Sequence, residues 1–367
     1  MKLFCRFWKD QSALVICPRN TVVTQRTLRS RGWIFWSLYP LYLLALAGGG
    51  VGAYGVIQWG VDSASAANGG DVWSSFYQEI DHSGVRAVSS QPDEQHIDVL
   101  LLGGSVLEQV GPEISSRLRD RLGERVRVFN LARSAHTSRD SLLKYRRIRD
   151  RVFDLIVIYD GINDVRMNCC ADELFRDDYT HCGWYNSIQR RTTNGSMKIA
   201  PLALVDLQRL IDLGRPRTAK QLDLGDVIKT PPAFAKNIQE IVESAAGAGQ
   251  PVLLLTFAHH LPDGYTRERF EQGELEFGPG DFRFPVELWG KPRNVTQTLD
   301  AQNAAIRQIS AAQSHVILCD LQTELPKTGT VFSDVCHLTA AGCQEFAERL
   351  MHPLGPWLDE MRTKHHD

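Results

Sequence analysis

The sequence predicts a doubly wound α/β sandwich, with helices covering both faces of a five-stranded parallel sheet and an N-terminal transmembrane helix ahead of it. Three observations predict this. Five short apolar runs alternate with helix-length segments whose apolar residues recur at helical spacing. The runs are continuously apolar rather than alternating, the pattern of strands buried on both faces of a parallel sheet. A long uncharged stretch bounded by aromatics stands before them.

That stretch runs from Trp33 to Trp59, behind a basic start. The first 31 residues carry a net charge of +6 and the remainder −8, which argues against a nucleic-acid-binding body. Residues 1–32 therefore read as a basic cytoplasmic N-terminus and residues 33–59 as a membrane anchor. As a helix the 27 residues from Trp33 to Trp59 would extend about 40 Å at ~1.5 Å each, enough to cross a ~30 Å hydrocarbon core with tilt. No Lys or Arg follows until Arg86, so the body belongs outside the cytoplasm, in a periplasmic or extracellular space. The rival is a cleavable signal peptide cut within Ser63 to Ala67, although its apolar region would exceed the usual ~7 to 15 residues. Outside the cytoplasm lie Cys169, Cys170, Cys182, Cys319, Cys336 and Cys343, an even number in an oxidising compartment, so one or more disulfides are expected.

Residues 60–96, rich in Ser, Ala, Gly and Asp and without sustained period, read as a stalk or approach segment. The body occupies residues 97–367. Its first strand is Ile97 to Leu102, followed by a helix from Pro112 to Leu122. Arg125 to Leu131 is the second strand and Ser138 to Arg151 a basic helix. Asp154 to Tyr159 is the third strand. A stretch from Val165 to Thr230 exceeds an ordinary connection and reads as an insertion or lid. Pro231 to Ala248 is a helix with Pro at its start, and Pro251 to Phe257 the fourth strand. A second insertion, His259 to Arg293, is rich in Gly, Pro and aromatics. The helix Leu299 to Ala312 leads to the fifth strand, His315 to Leu321, and Thr339 to Leu350 closes the chain as a helix. The implied architecture is a flavodoxin-like three-layer α/β/α sandwich.

In such a sheet, sites form beyond the carboxyl ends of the strands. Ser105 follows the first strand, Ala135 the second, Asn163 the third, and Asp334 with His337 the fifth. Singly each has a bland reading: Ser105 as a small residue in a tight turn, Asn163 as turn chemistry, Asp334 as a helix cap, His337 as a surface histidine. Together they favour acyl transfer through a serine ester. An Asp three residues before a His can fix the imidazole tautomer and leave the other nitrogen to take a serine proton, and the Asn163 amide is a donor for a developing oxyanion. Two preceding glycines would let Ser105 project from a sharp turn. Thr339 can cap the last helix, which frees Asp334 from that task. His136 beside the proposed hole is a pocket-lining candidate, and His259 and His260 are reserve bases. Cys169, Cys170 and His181-Cys182 read as disulfide partners more than metal ligands; no metal or cofactor is called for.

Gly103-Gly104-Ser105, the run Asn130 to Ala135, Gly161-Ile162-Asn163-Asp164 and the run Asp334 to Thr339 with Gly342 behind carry a resemblance: the chain looks like an SGNH hydrolase of the GDSL esterase/lipase superfamily. The resemblance implies Ser105 as nucleophile, His337 as general base and then acid, Asp334 as its orienter, and an oxyanion hole from Ser105, Ala135 and Asn163. Gly104 stands where that family often has Asp, and Ala135 where its second block usually has Gly. The expected activity is a membrane-anchored serine esterase deacylating a carbohydrate or lipid ester at the cell envelope. Its alternatives are an O-acyltransferase with the same nucleophile, and a non-catalytic envelope binding or assembly module motivated by Ala135 and the long insertions.

Overall fold

All five apolar runs are strands in the computed structural model, and all pair in parallel. They are β1 (Ile97–Gly103), β2 (Val126–Asn130), β3 (Leu155–Tyr159), β4 (Val252–Leu255) and β5 (Val316–Cys319), in the order β2-β1-β3-β4-β5. The structure describes residues 49, 52, 76–93, 95–194, 209, 211 and 215–364. The chain divides into two compact units, Met1–Ser63 and Ala64–Asp367, and the sheet belongs to the second. The expected anchor at 33–59 lies outside the described residues except for Gly49 and Gly52. Among the described residues no helix is long and apolar enough to cross a membrane.

The principal helices are α1 (Ser105–Leu122), α2 (Ser138–Ile148), α3 (Thr230–Gly247), α4 (Pro292–Ala312), α5 (Ala340–Met351) and α6 (Gly355–Lys364). Successive residues of a strand face opposite sides, and the two cores follow that rule. Val99, Leu101 and Val157 pack with α1, α5 and α6, whereas Leu100, Leu102, Ile156 and Ile158 pack with α2 and α3. Helix α4 straddles the border, giving Val295 and Leu299 to the first core and Ile306 and Ile309 to the second. Every residue of β1 and β3 is buried, which is why neither strand alternates in sequence.

Four expectations need correction. Helix α1 starts at Ser105, not Pro112, and α4 at Pro292, not Leu299. Proline is a common first residue of a helix, but Pro112 sits inside α1 because Val106, Leu107 and Val110 are buried against the sheet. The segment read as a stalk is, from Phe76 onward, part of the body: Tyr77, Ile80, Val85 and Val88 are at most 1% exposed and join the second core. Their irregular spacing gave no period to read. Helix α6 buries Trp357, Leu358 and Met361 beyond the helix at Thr339 to Leu350 that was expected to be the last. Finally, all six described cysteines are free thiols, so the expected disulfides are not formed. The first insertion packs in part: Met167, Tyr179, Trp184, Tyr185 and Ile188 form a third small core with Ala233 of α3.

Candidate active site

Strand β1 ends on Gly103, paired with Tyr159 of β3, and a side chain at Gly103 would stand 2.4 Å from the Tyr159 carbonyl oxygen. Gly104 is extended (φ −93, ψ −160), and a β-carbon there would meet Asn163 Nδ2 at 2.9 Å and the His136 carbonyl oxygen at 3.2 Å. The two glycines therefore provide space for neighbouring chain at the sharp turn ahead of Ser105, and Gly104 does so without a left-handed conformation. Ser105 opens α1, where its N–H is among the donors that have no partner within the helix. The helix dipole adds partial positive charge at that end.

Asp334 and His337 sit in a pinched loop. Phe332 and Leu338 form an antiparallel bridge, Ser333 N donates to the His337 carbonyl at 2.9 Å, and Thr339 N donates to the Val331 carbonyl at 2.9 Å. Thr339 then caps α5 through Gly342 N (3.0 Å), as its sequence position suggested. Within the loop Asp334 Oδ1 accepts from Cys336 N (2.9 Å) and His337 N (2.7 Å), and Oδ2 lies 2.7 Å from His337 Nδ1. Phe284 N, from the second insertion, donates to the same Oδ2 at 3.0 Å. Burial alone would raise the Asp334 pKa, yet His337 and the two loop amides outweigh it and hold the group below the usual carboxylate value. His337 Nε2 is 2.9 Å from Ser105 Oγ, a contact spanning 232 residues of sequence. The anionic Asp334 can only accept, so the ring proton sits on Nδ1 and the Nε2 lone pair faces the serine hydroxyl.

Asn163 is oriented by two neighbours: Nδ2 donates to the His136 carbonyl at 2.9 Å and Oδ1 accepts from Trp289 Nε1 at 3.4 Å. One amide hydrogen remains, beside Gly104. Ala135 adopts φ 68, despite the methyl group that disfavours it. From Leu131 to Ser138 each backbone N–H has an acceptor except that of Ala135, which has none among the described residues. Gly104, Ser105, His136, Asp160, Asn163 and Phe257 are among the residues lining a small pocket of about 190 Å³, counted with its open mouth.

The other sequence candidates fall elsewhere. His136 is buried with Nδ1 against Lys144 Nζ. His259 faces Gln322 and Asp300, and His260 packs on Phe277 and Phe332, so neither replaces His337. Cys169, Cys170 and Cys182 bond to Trp289 O, Met167 O and Met167 Sδ respectively rather than to each other. The donor atoms of Asp334, Cys336 and His337 lie within 4.8 Å of one another, but Asp334 and His337 are already hydrogen-bonded together. Sequence reasoning missed the aromatic surround of His337. Phe282 stacks on the ring with centroids 4.9 Å apart, and Phe284 and Trp289 stand at 5.7 and 6.0 Å. Only the aromatic-rich composition of the second insertion signalled it.

A family model described as GDSL-like Lipase/Acylhydrolase family matches residues 101–345, from β1 into α5. No curated protein matches the sequence. Among solved structures, a GDSL-like lipase from Bacteroides thetaiotaomicron is 14% identical over 77% of this chain and 97% of its own, with a TM-score of 0.44. An acetylxylan esterase from Geobacillus stearothermophilus is 13% identical over 72% of this chain and 97% of its own, with a TM-score of 0.41.

Proposed function

The chain belongs to the GDSL-like lipase/acylhydrolase family, a family of ester-hydrolysing serine hydrolases, and from that premise we propose that it is a serine esterase deacylating a carbohydrate or lipid ester at the cell envelope through a covalent acyl-enzyme. The single observation that carries the mechanism is the chain of contacts from Ser105 Oγ to His337 Nε2 (2.9 Å) and from His337 Nδ1 to Asp334 Oδ2 (2.7 Å). Ser105 Oγ attacks the ester carbonyl carbon while its proton passes to His337 Nε2. The resulting oxyanion accepts from the N–H groups of Ser105 and Ala135 and from Asn163 Nδ2, donors in place before the reaction begins. As the tetrahedral intermediate collapses, the bond to the alkoxy oxygen breaks and His337 returns its proton to that oxygen, so the alcohol leaves. Water then repeats the sequence on the acyl-serine, releasing the acid and restoring Ser105.

The Ala135 N–H, without an acceptor among the described residues and at φ 68, weakens one of the two motives for a non-catalytic reading, since the residue adopts the conformation expected of glycine at that place. Location at the envelope rests on the uncharged stretch 33–59 and its basic flank. Phe282 and Phe284, part-exposed beside His337, offer an apolar surface to a sugar face or an acyl chain. Ser105→Ala should lower ester hydrolysis by more than about 10³-fold and abolish labelling by a fluorophosphonate. Unchanged hydrolysis in that variant would reject the assignment.

A further inference from the structure

Behind the oxyanion loop lies a buried charge cluster that the mechanism above does not use. Lys144 of α2 is fully buried. Its Nζ donates to the Leu131 carbonyl at 2.6 Å, bonds His136 Nδ1, and pairs with Glu79 Oε1 at 2.8 Å. Leu131 and His136 are the two ends of the loop that holds Ala135 in the left-handed region. The His136 carbonyl in turn holds Asn163 Nδ2. One ammonium group thus ties both ends of the loop that carries Ala135, and through His136 it is linked to Asn163. From the opposite side Glu108 accepts from Ser134 N (2.7 Å), Ser134 Oγ (2.8 Å) and Arg133 Nη1 (3.1 Å).

Strained backbone persists only where its surroundings over-determine it, and here two carboxylates and a lysine do so. The cluster faces Asp140, which is itself held by Tyr77, Tyr185 and Thr137 N, and the cations Arg209 and Arg133. Burial, then Lys144, Arg209 and Arg133, press the His136 pKa well below its ordinary value, so the ring is neutral and Nδ1 is free to accept from Lys144.

Resting on the esterase reading above, we propose that the buried Glu79–Lys144 pair positions the oxyanion donors at Ala135 and Asn163, which makes the segment ahead of β1 part of the catalytic apparatus. Glu79 and Lys144 are positioning residues: neither touches substrate. Donors of this kind act in the transition state more than in the ground state, so the pair should govern kcat and leave KM nearly alone.

The test uses the full chain carrying Glu79→Gln together with Lys144→Met, a combination that leaves neither charge stranded in the interior. Functional serines are first counted by stoichiometric fluorophosphonate titration, and kcat is expressed per titrated serine. The expected result is a fall in kcat of about 10- to 100-fold with KM within threefold. A merely structural role would reduce the number of titratable serines and leave kcat per serine within twofold of the parent, and that result overturns the proposal. Should the double variant not fold, Glu79→Gln alone carries the test, with at least a threefold fall in kcat expected and an unchanged kcat overturning it. If the parent protein takes no label, or Ser105→Ala retains full hydrolysis, it is the esterase reading beneath the proposal that fails.

Discussion

Ala135 shows at a single position how a local cost and a functional need meet. Its φ of 68 is unfavourable for a residue with a β-carbon, by roughly 1–2 kcal/mol. The loop keeps it because neighbouring amides and carbonyls are tied to Glu108, Gly103 and Lys144. Ala135→Gly should therefore relieve strain, while the greater freedom of glycine in the unfolded chain returns about 0.5–1 kcal/mol of that gain. The expected outcome is stability within about 1 kcal/mol of the parent in urea unfolding, with kcat retained because the donor is a backbone N–H. A tenfold loss of kcat would show that the methyl group itself serves the site. That Ser105, Asp334 and His337 meet was legible in sequence, because Ser105 stands just past a strand and the other two are three residues apart, a spacing that chemistry recognises. What was not legible is the set of partners that tie the ends of the Ala135 loop, since Glu108 and Lys144 lie outside the loop and belong to no motif.

At the scale of elements, the second insertion does more than connect β4 to α4. Phe284 N donates to Asp334, Trp289 Nε1 reaches Asn163, and Phe282 lies nearly parallel to the His337 ring at an interplanar angle of 24°. One segment thereby touches Asp334, His337 and Asn163. An aromatic pair of this kind is worth about 0.5–1.5 kcal/mol, which corresponds to a two- to roughly tenfold effect if it holds the imidazole in its reactive orientation. Phe282→Ala should lower kcat by that factor and cost little stability, because the ring is only part-buried. Equal kcat in steady-state assays of the variant and its parent would remove the orienting role. The strands were legible here because burial on both faces writes a continuous apolar run. Helix starts were not: Pro112 and Pro292 carry the same signal, yet only Pro292 marks a beginning, and the choice was made by which side chains reach the sheet.

For the molecule as a whole, the buried acids and imidazoles set opposing trends with pH. Asp160 and Asp164 are both buried beside α2, and neither oxygen of Asp160 has a well-formed hydrogen bond. Burial, aided by Asp164, pushes the Asp160 pKa up to about 8. Burial likewise pushes Asp164 up to about 6, although hydrogen bonds from Ser138 and Tyr179 oppose it. An unfolded aspartate titrates near 3.9, so between about pH 4 and 8 the folded protein binds protons that the unfolded chain has released. Stability from these groups is fully present below about pH 4 and is lost as pH rises through 6 and then 8. His136, His181, His259 and His260 act in the other direction, each lowered chiefly by burial. The unfolded chain protonates them below about pH 6.5 while the fold resists, so their contribution is lost as pH falls. The two trends place maximal stability between them, near neutrality. Asp160→Asn isolates the acidic side, because asparagine is uncharged throughout. Compared by urea unfolding, the variant's stability relative to its parent should rise between pH 5 and pH 8.5 by on the order of 2 kcal/mol, at about 1.4 kcal/mol per pH unit with allowance for solvent relaxation. Parallel stability curves for the two proteins across that range would mean that Asp160 is ionised in the fold, and that its charge is compensated by a partner from elsewhere in the body.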